Sequence, residues 1–379
     1  MADSTASTTQ NEAVTKVITV NSVDDFRALF ASDLPSAASD HLLASLDSAL
    51  DDVSATEDQQ RMMRVQAYVT DKSAALSNDD QEYAAQFFPI QISQTSGGTK
   101  TVTSKETFGP GAMPQLIDVD ELIFDGGALV YGTTQVTIKA SSVTVKQNCS
   151  DVPYHIGILG SPGGNGSDGS AGADGSKGQD GQGGTGSAGA GDPGKDGVNG
   201  NIGNPGYPGV PTQVANFTFK SITIDGSSPL SLYIKQGDGG QGGSGGEGGD
   251  GGSGGGGGTA HSSGCGDLSD GGDGGDGGDG GDGGQGGQGG QGAPSPGAVV
   301  LSMALADKAK ISINSEAGLG GPGGSGGAGG NAGAGGPGGN GTKNRDHGPE
   351  GSSGIAGNEG APGLPGQNGP ATSVVPNYI

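Results

Sequence analysis

The sequence predicts a multi-domain α + β + polyglycine II protein. Its parts are a small N-terminal helical domain, a β core of three strand-turn-strand segments, and a bundle of six antiparallel polyproline-II-type glycine helices. Three observations lead there. Gly271–Gly292 reads GGDGGDGGDGGDGGQGGQGGQG, with glycine at every third position. That period belongs to neither an α-helix nor a β-strand, but to the threefold polyproline II conformation. Glycine supplies 86 of 379 residues, aromatics are 4% and tryptophan is absent, which leaves no conventional large core from about residue 155 onward. Finally, the apolar period changes along the chain, from helical spacing before Pro89 to alternation from Ile90.

The N-terminal region, 1–89, opens with a small polar arm, Met1–Asn11, and a short strand over Val14–Val20. Ser22 then has the chemistry of an N-cap, with Asp24 and Asp25 in the first turn and Phe26, Leu29 and Phe30 on one face. A second helix fits Ser36–Val53, where Leu42, Leu43, Leu46 and Leu50 recur at helical spacing. A third fits Thr56–Leu76 with Met62, Met63, Val65, Tyr68 and Val69, and a fourth, Asn78–Phe88, stops at Pro89. These helices are expected to form a docking domain.

Residues 90–156 read as a β segment. Thr99–Thr107 alternates, and Leu116–Val145 is rich in Val, Ile and Thr, with breaks at Asp125-Gly126 and Gly132. Two later segments repeat the pattern inside the glycine-rich region 157–369, as β insertions at 213–236 and 298–316: Val214–Lys235 and Ala298–Asn314. None of the three has enough apolar surface to be stable alone, so they are expected to meet in one β core. Residues 370–379 form a C-terminal tail.

Three glycine-rich excursions separate and follow these segments, and each splits where its period breaks. The frames are Gly157–Gly184 and Gly191–Gly209, Gly237–Gly258 and Gly271–Gly292, then Gly318–Gly339 and Gly348–Gly369. Four of the six carry eight in-phase glycines, and these equal spans suggest runs that go out and back, each such run roughly 70 Å long at about 3.1 Å per residue. Runs written GGX leave two bare faces and are expected inside; runs written GXX are expected outside. A collagen trimer and plain disorder are the rival readings of such glycine. The first is weakened by the absence of proline from Gly237–Gly292, although Gly360–Pro370 reads GAPGLPGQNGP.

The formal net charge of −24 argues against nucleic acid as a partner and disfavours anionic membranes. No stretch has the length and apolarity to insert into a bilayer. MADSTASTTQ has no basic region followed by an apolar run, so no classical signal peptide is expected. Cys149 and Cys265 do not make a disulfide framework. The sequence has no HExxH or GxxxxGK[ST], and its four histidines do not cluster, so neither an enzyme nor a cofactor is expected. Asp273, Asp276, Asp279 and Asp282 form a column that reads as a solubilising face or a weak, diffuse cation site.

The glycine runs, the polar loops between them and the non-glycine N-terminal region resemble the polyglycine-II adhesins at the tips of phage tail fibres, over roughly Gly157–Gly369. Weaker resemblances are to glycine-rich antifreeze proteins and to bacterial collagen-like surface proteins. The adhesin resemblance implies distal turns that contact a receptor. The period breaks here are Thr185–Ala190, Thr259–Asp270 and Thr342–His347. The candidate binding residues are Lys343, Asn344, Arg345, Asp346 and His347 in the last of these, and His261, Asp267 and Asp270 in the middle one. His261, Cys265, Asp267 and Asp270 lack standard metal spacing, so no metal is expected. The functional expectation is a non-enzymatic structural or adhesive protein, located outside the cell, on a cell surface or on a virion. Its partner would be a cell-surface receptor or a second copy, as a homo-oligomer or fibre. A self-assembling filament or surface-matrix subunit is the alternative, and an ice-binding protein is disfavoured by the Asp and Gln column.

Overall fold

A computed structural model describes residues 11–31, 57–72, 74–184, 186–262, 266, 269–293 and 299–379. Alternating apolar residues set most of the strands. They are β1 (Val14–Val20), β2 (Ile90–Ser96), β3 (Thr99–Val102), β4 (Lys105–Phe108), β5 (Gln115–Asp125), β6 (Ala128–Gly132) and β7 (Val136–Gln147). The later strands are β8 (Ile156–Leu159), β9 (Ala215–Phe219), β10 (Ile222–Ile224), β11 (Leu230–Lys235), β12 (Val299–Met303), β13 (Ile311–Glu316) and β14 (Val374–Tyr378). The described helices are α1 (Val23–Phe30), α2 (Glu57–Thr70), α3 (Asn78–Ala85) and a 3-10 turn at Leu305–Lys310.

Two sheets result. One has nine strands, in the order β1-β2-β5-β7-β9-β12-β14, with β3 beside β5 and β10 beside β7. The other has five, in the order β13-β11-β8-β6-β4. Apart from the antiparallel β1–β2 pair, the pairings are parallel. Leu122, Phe124, Ile138, Phe217 and Leu301 of the larger sheet share one buried cluster with Leu129, Tyr131, Ile156, Ile158 and Leu232 of the smaller. Burying each such side chain contributes about 1.5–3 kcal/mol, so this layer is the main apolar support of the fold.

The helices pack on one end of the larger sheet. Ser22 Oγ accepts the N–H of Asp25 and caps α1. Phe26 and Phe30 stack with ring centroids 4.3 Å apart and share a buried cluster with Tyr68, Val69, Ile92 and Leu116. Asn216 Nδ2 donates to the Phe30 carbonyl at 2.6 Å, tying the end of α1 to β9. The expected helix over Ser36–Val53 lies outside the described residues.

This architecture corrects the expected fold class. The protein is a mixed α/β fold built on two large, mostly parallel sheets with a few short helices, not a helical domain joined to a three-segment β core and a bundle of glycine helices. The three predicted β segments do meet, but as strands added to sheets that also recruit β1 and β14. Parallel pairing places a strand's neighbour a whole excursion away in sequence, which periodicity alone does not reveal.

Beyond Gly157–Leu159, which belong to β8, the glycine-rich runs contain no α-helix and no strand, and they are not six antiparallel elements. They are segments linked laterally by backbone hydrogen bonds at every third residue, arranged as two rows. In the first row 157–184 donates to 237–258, from Gly163 to Asp238 through Gly181 to Gly256. Run 237–258 in turn donates to 318–339, from Gly239 to Leu319 through Gly257 to Pro337. In the second row 191–209 donates to 271–292, which donates to 348–369. Register rises together along each row, so its runs are parallel. Between rows it runs in opposite senses, as in Gly246 to Asn201 and Gly284 to Gly246, both 2.8 Å.

Each row extends a sheet. β8, β11 and β13, neighbours in the smaller sheet, lead into the first row in the same order. The second row leads into β9, β12 and β14 of the larger sheet. Close approach is what requires glycine here: a Cβ at Gly246 would lie 2.0 Å from the Ser170 carbonyl oxygen. Run 237–258, written largely GGX, bonds to four other runs, whereas GXX run 157–184 bonds to two. Run 318–339, also mostly GGX, stands at the end of its row.

Candidate binding surface

The sheets hold one end of the two-row array, and the described residues of the connections 184–191, 258–271 and 339–348 lie at the other. Backbone bonds join them. Gly184 forms a bridge with Ala260, and His261 N–H donates to the Gly184 carbonyl at 2.9 Å. Ala260 N–H donates to Asn340 at 2.9 Å, linking the middle connection to the third. Gly271 N–H donates to Asp346 at 2.9 Å. Chain segments far apart in sequence are therefore joined at this end by backbone bonds between their described residues.

Of the predicted site residues, Asp270, Arg345 and Asp346 come together. Asp270 Oδ1 accepts the Asp346 N–H at 3.2 Å and lies 3.9 Å from the Arg345 guanidinium. Both side chains of that ion pair are solvated, so it contributes at most about 1 kcal/mol. Lys343, Asn344 and His347 are exposed on the same connection. His261 belongs to the other side of the surface, where its Nε2 would be 2.9 Å from a Cβ placed on Gly183. Asp267 lies outside the described residues. Among the described residues no group of three His, Cys, Asp or Glu is placed to hold a metal ion.

The aspartate column has a role that sequence reasoning missed. The Oδ1 atoms of Asp276, Asp279 and Asp282 each accept a backbone N–H from run 348–369, at Ser352, Ile355 and Asn358, all at 2.7 Å. Asp168, Asp174 and Asp180 do the same for Ser244, Asp250 and Gly256. Asp196 and Asn199 serve Asp279 and Asp282. These side chains supply acceptors to outward N–H groups that no neighbouring backbone reaches. Asp273 stands in the same register opposite Pro349, which has no N–H to give. The Lys177 ammonium, together with the Gly256 N–H, holds the Asp180 carboxyl below its usual range. The sequence signal was available: in six of these contacts the acceptor precedes the donor by 76 positions.

A cavity of about 550 Å³ lies on the flank between runs 157–184 and 191–209, lined by Asn165, Ser167, Asn204, Pro205, Tyr207 and Pro208. It is remote in sequence from the three connections. No helix among the described residues is long and apolar enough to cross a membrane. No family model matches the chain, and no curated protein matches it.

Proposed function

We propose that the chain is a non-enzymatic, surface-exposed binding protein whose glycine-rich array carries a recognition surface away from the sheets. The observation that supports this most is the joining of three sequence-distant connections at one end, through Gly184–Ala260, Ala260–Asn340 and Asp270–Asp346. A protein with a mainly structural role has no need to gather Lys343, Arg345, Asp346 and His347 at the end farthest from its apolar support. The mixed charge of this set suits a polar receptor on a cell or virion surface. The regular backbone bonding gives the surface a stiff mount, which limits the ordering cost of binding.

The reading is tested with fluorescently labelled full chain on a panel of intact bacterial and eukaryotic cells. Saturable binding that is lost in K343A/R345A/H347A, with an unchanged melting curve, is the expected result. Undiminished binding by that variant, or no binding to any surface, would overturn it.

A further inference from the structure

The first row stops with donors left over. Run 157–184 donates to 237–258, and 237–258 donates to 318–339. On 318–339 the next N–H groups in the same register belong to Gly320, Gly323, Gly326, Gly329, Ala332, Gly335 and Gly338. Gly320 donates to Asn368 Oδ1 at 2.8 Å. The remaining six have no acceptor among the described residues. Only Ala332 carries a side chain in this series, so the flank is an almost bare strip of backbone donors, one every third residue.

We propose that this flank binds a glycine-rich segment of another protein. The segment would lie extended and parallel to 318–339, with its carbonyls on these N–H groups. Continuity with the existing interface carries the argument, since each run in the row meets its successor through the same donor series. The row itself sets the occupant's chemistry. A Cβ on Gly321, Gly324 or Gly327 would lie 1.9–2.0 Å from a carbonyl oxygen of 237–258, the run before it. A chain seated next to 318–339 approaches that run in the same way, so it needs glycine at every third position. A second copy fits poorly. The flank that would face 318–339 belongs to 157–184 and 191–209, where Ser167–Asn204 and Ser170–Asn201 side-chain pairs stand along the edge.

The probe is a fluorescein-labelled peptide of repeated Gly-Gly-Ser triplets, matched in length to the run and titrated with the full chain while anisotropy is read. Ser353 and Ala356 are exposed and share the three-residue register of Asn368, so S353W and A356W place bulk beside the open donors. V198W, on the opposite flank, controls for an added indole. Saturable binding is expected, weakened about tenfold or more by A356W and unchanged by V198W. Amide exchange at Gly323–Gly338 should slow on peptide addition, and a peptide with Val in place of both Gly of each triplet should not bind. Absence of saturable binding, or equal binding by A356W, would overturn the proposal. So would dimerisation of the chain that A356W abolishes without any peptide binding, which would assign the flank to a second copy.

Discussion

The carboxylate of Asp282 accepts the backbone N–H of Asn358 at 2.7 Å across two runs of chain, and also takes the Asn358 side-chain amide at 3.0 Å. Asp279 and Asp276 repeat the backbone contact one and two triplets away. What these residues contribute is an acceptor oxygen; their negative charge is incidental and, within one column, mutually repulsive.

That distinction separates two variants. D276N/D279N/D282N keeps an oxygen in each position and removes three like charges, so it should melt at or above the wild-type temperature at low salt. D276A/D279A/D282A leaves three exposed N–H groups to water and should lose about 0.5–1.5 kcal/mol per site, toward the low end because the sites are solvated. Thermal melts of both at two ionic strengths decide it. A less stable asparagine variant would mean that charge matters after all.

Glycine inside the array is required by contact. Gly246 N–H donates to Asn201, its carbonyl accepts from Gly284, and a Cβ would sit 2.0 Å from the Ser170 oxygen. G246A must push neighbouring runs apart and loosen several bonds together, at a cost of about 3 kcal/mol or more. Gly186 has nothing within 4 Å of its would-be Cβ. G186A should leave the melting temperature within error of wild type. Equal effects from the two changes would show that the runs do not depend on backbone proximity.

Local signals were legible in the sequence, and pairing was not. Val14–Val20 and the Ser22 cap could be read because alternation and capping chemistry are short-range. That Leu301 has Phe217 on one side and Pro376 on the other could not, because parallel neighbours are separated by whole glycine-rich excursions. The same holds for the array: identical glycines at every third position offer no cue that Gly246 donates to Asn201 and not to another carbonyl. At the candidate surface the exposed set Lys343–His347 was visible as a break in the period. The Asp270–Asp346 contact depends on register between runs and was not.

Arg64 and Asp80 join α2 to α3. Arg64 Nε and Nη2 donate to the two carboxylate oxygens at 2.8 and 2.7 Å, and Asp80 is buried while the guanidinium is partly solvated. The Arg64 hydrogen bonds hold the Asp80 carboxyl below its usual range. R64A strands a buried carboxylate and should cost about 1–3 kcal/mol. R64A/D80A removes both ends and should recover part of that loss. Urea unfolding of the two variants measures the difference, and a double variant less stable than R64A would show that Asp80 has a second essential partner.

His155 gives the protein a pH dependence of identifiable sign. It is 1% exposed; its Nδ1 lies 3.0 Å from Ser231 Oγ, and its Nε2 has no partner among the described residues. Burial lowers its pKa, against a weaker opposing effect of a backbone contact at Gln147. Folding therefore favours the neutral ring. The stabilisation is fully present above the unfolded value of about 6.5 and is lost as pH falls below it toward the depressed folded value. The melting temperature should drop between about pH 7 and pH 5, before most carboxylates titrate. H155F keeps an aromatic ring against Phe124 and removes the titrating group. It should be less stable at pH 7 because the Ser231 contact is gone, yet nearly flat across that interval. A slope unchanged by H155F would place the acid sensitivity elsewhere in the chain.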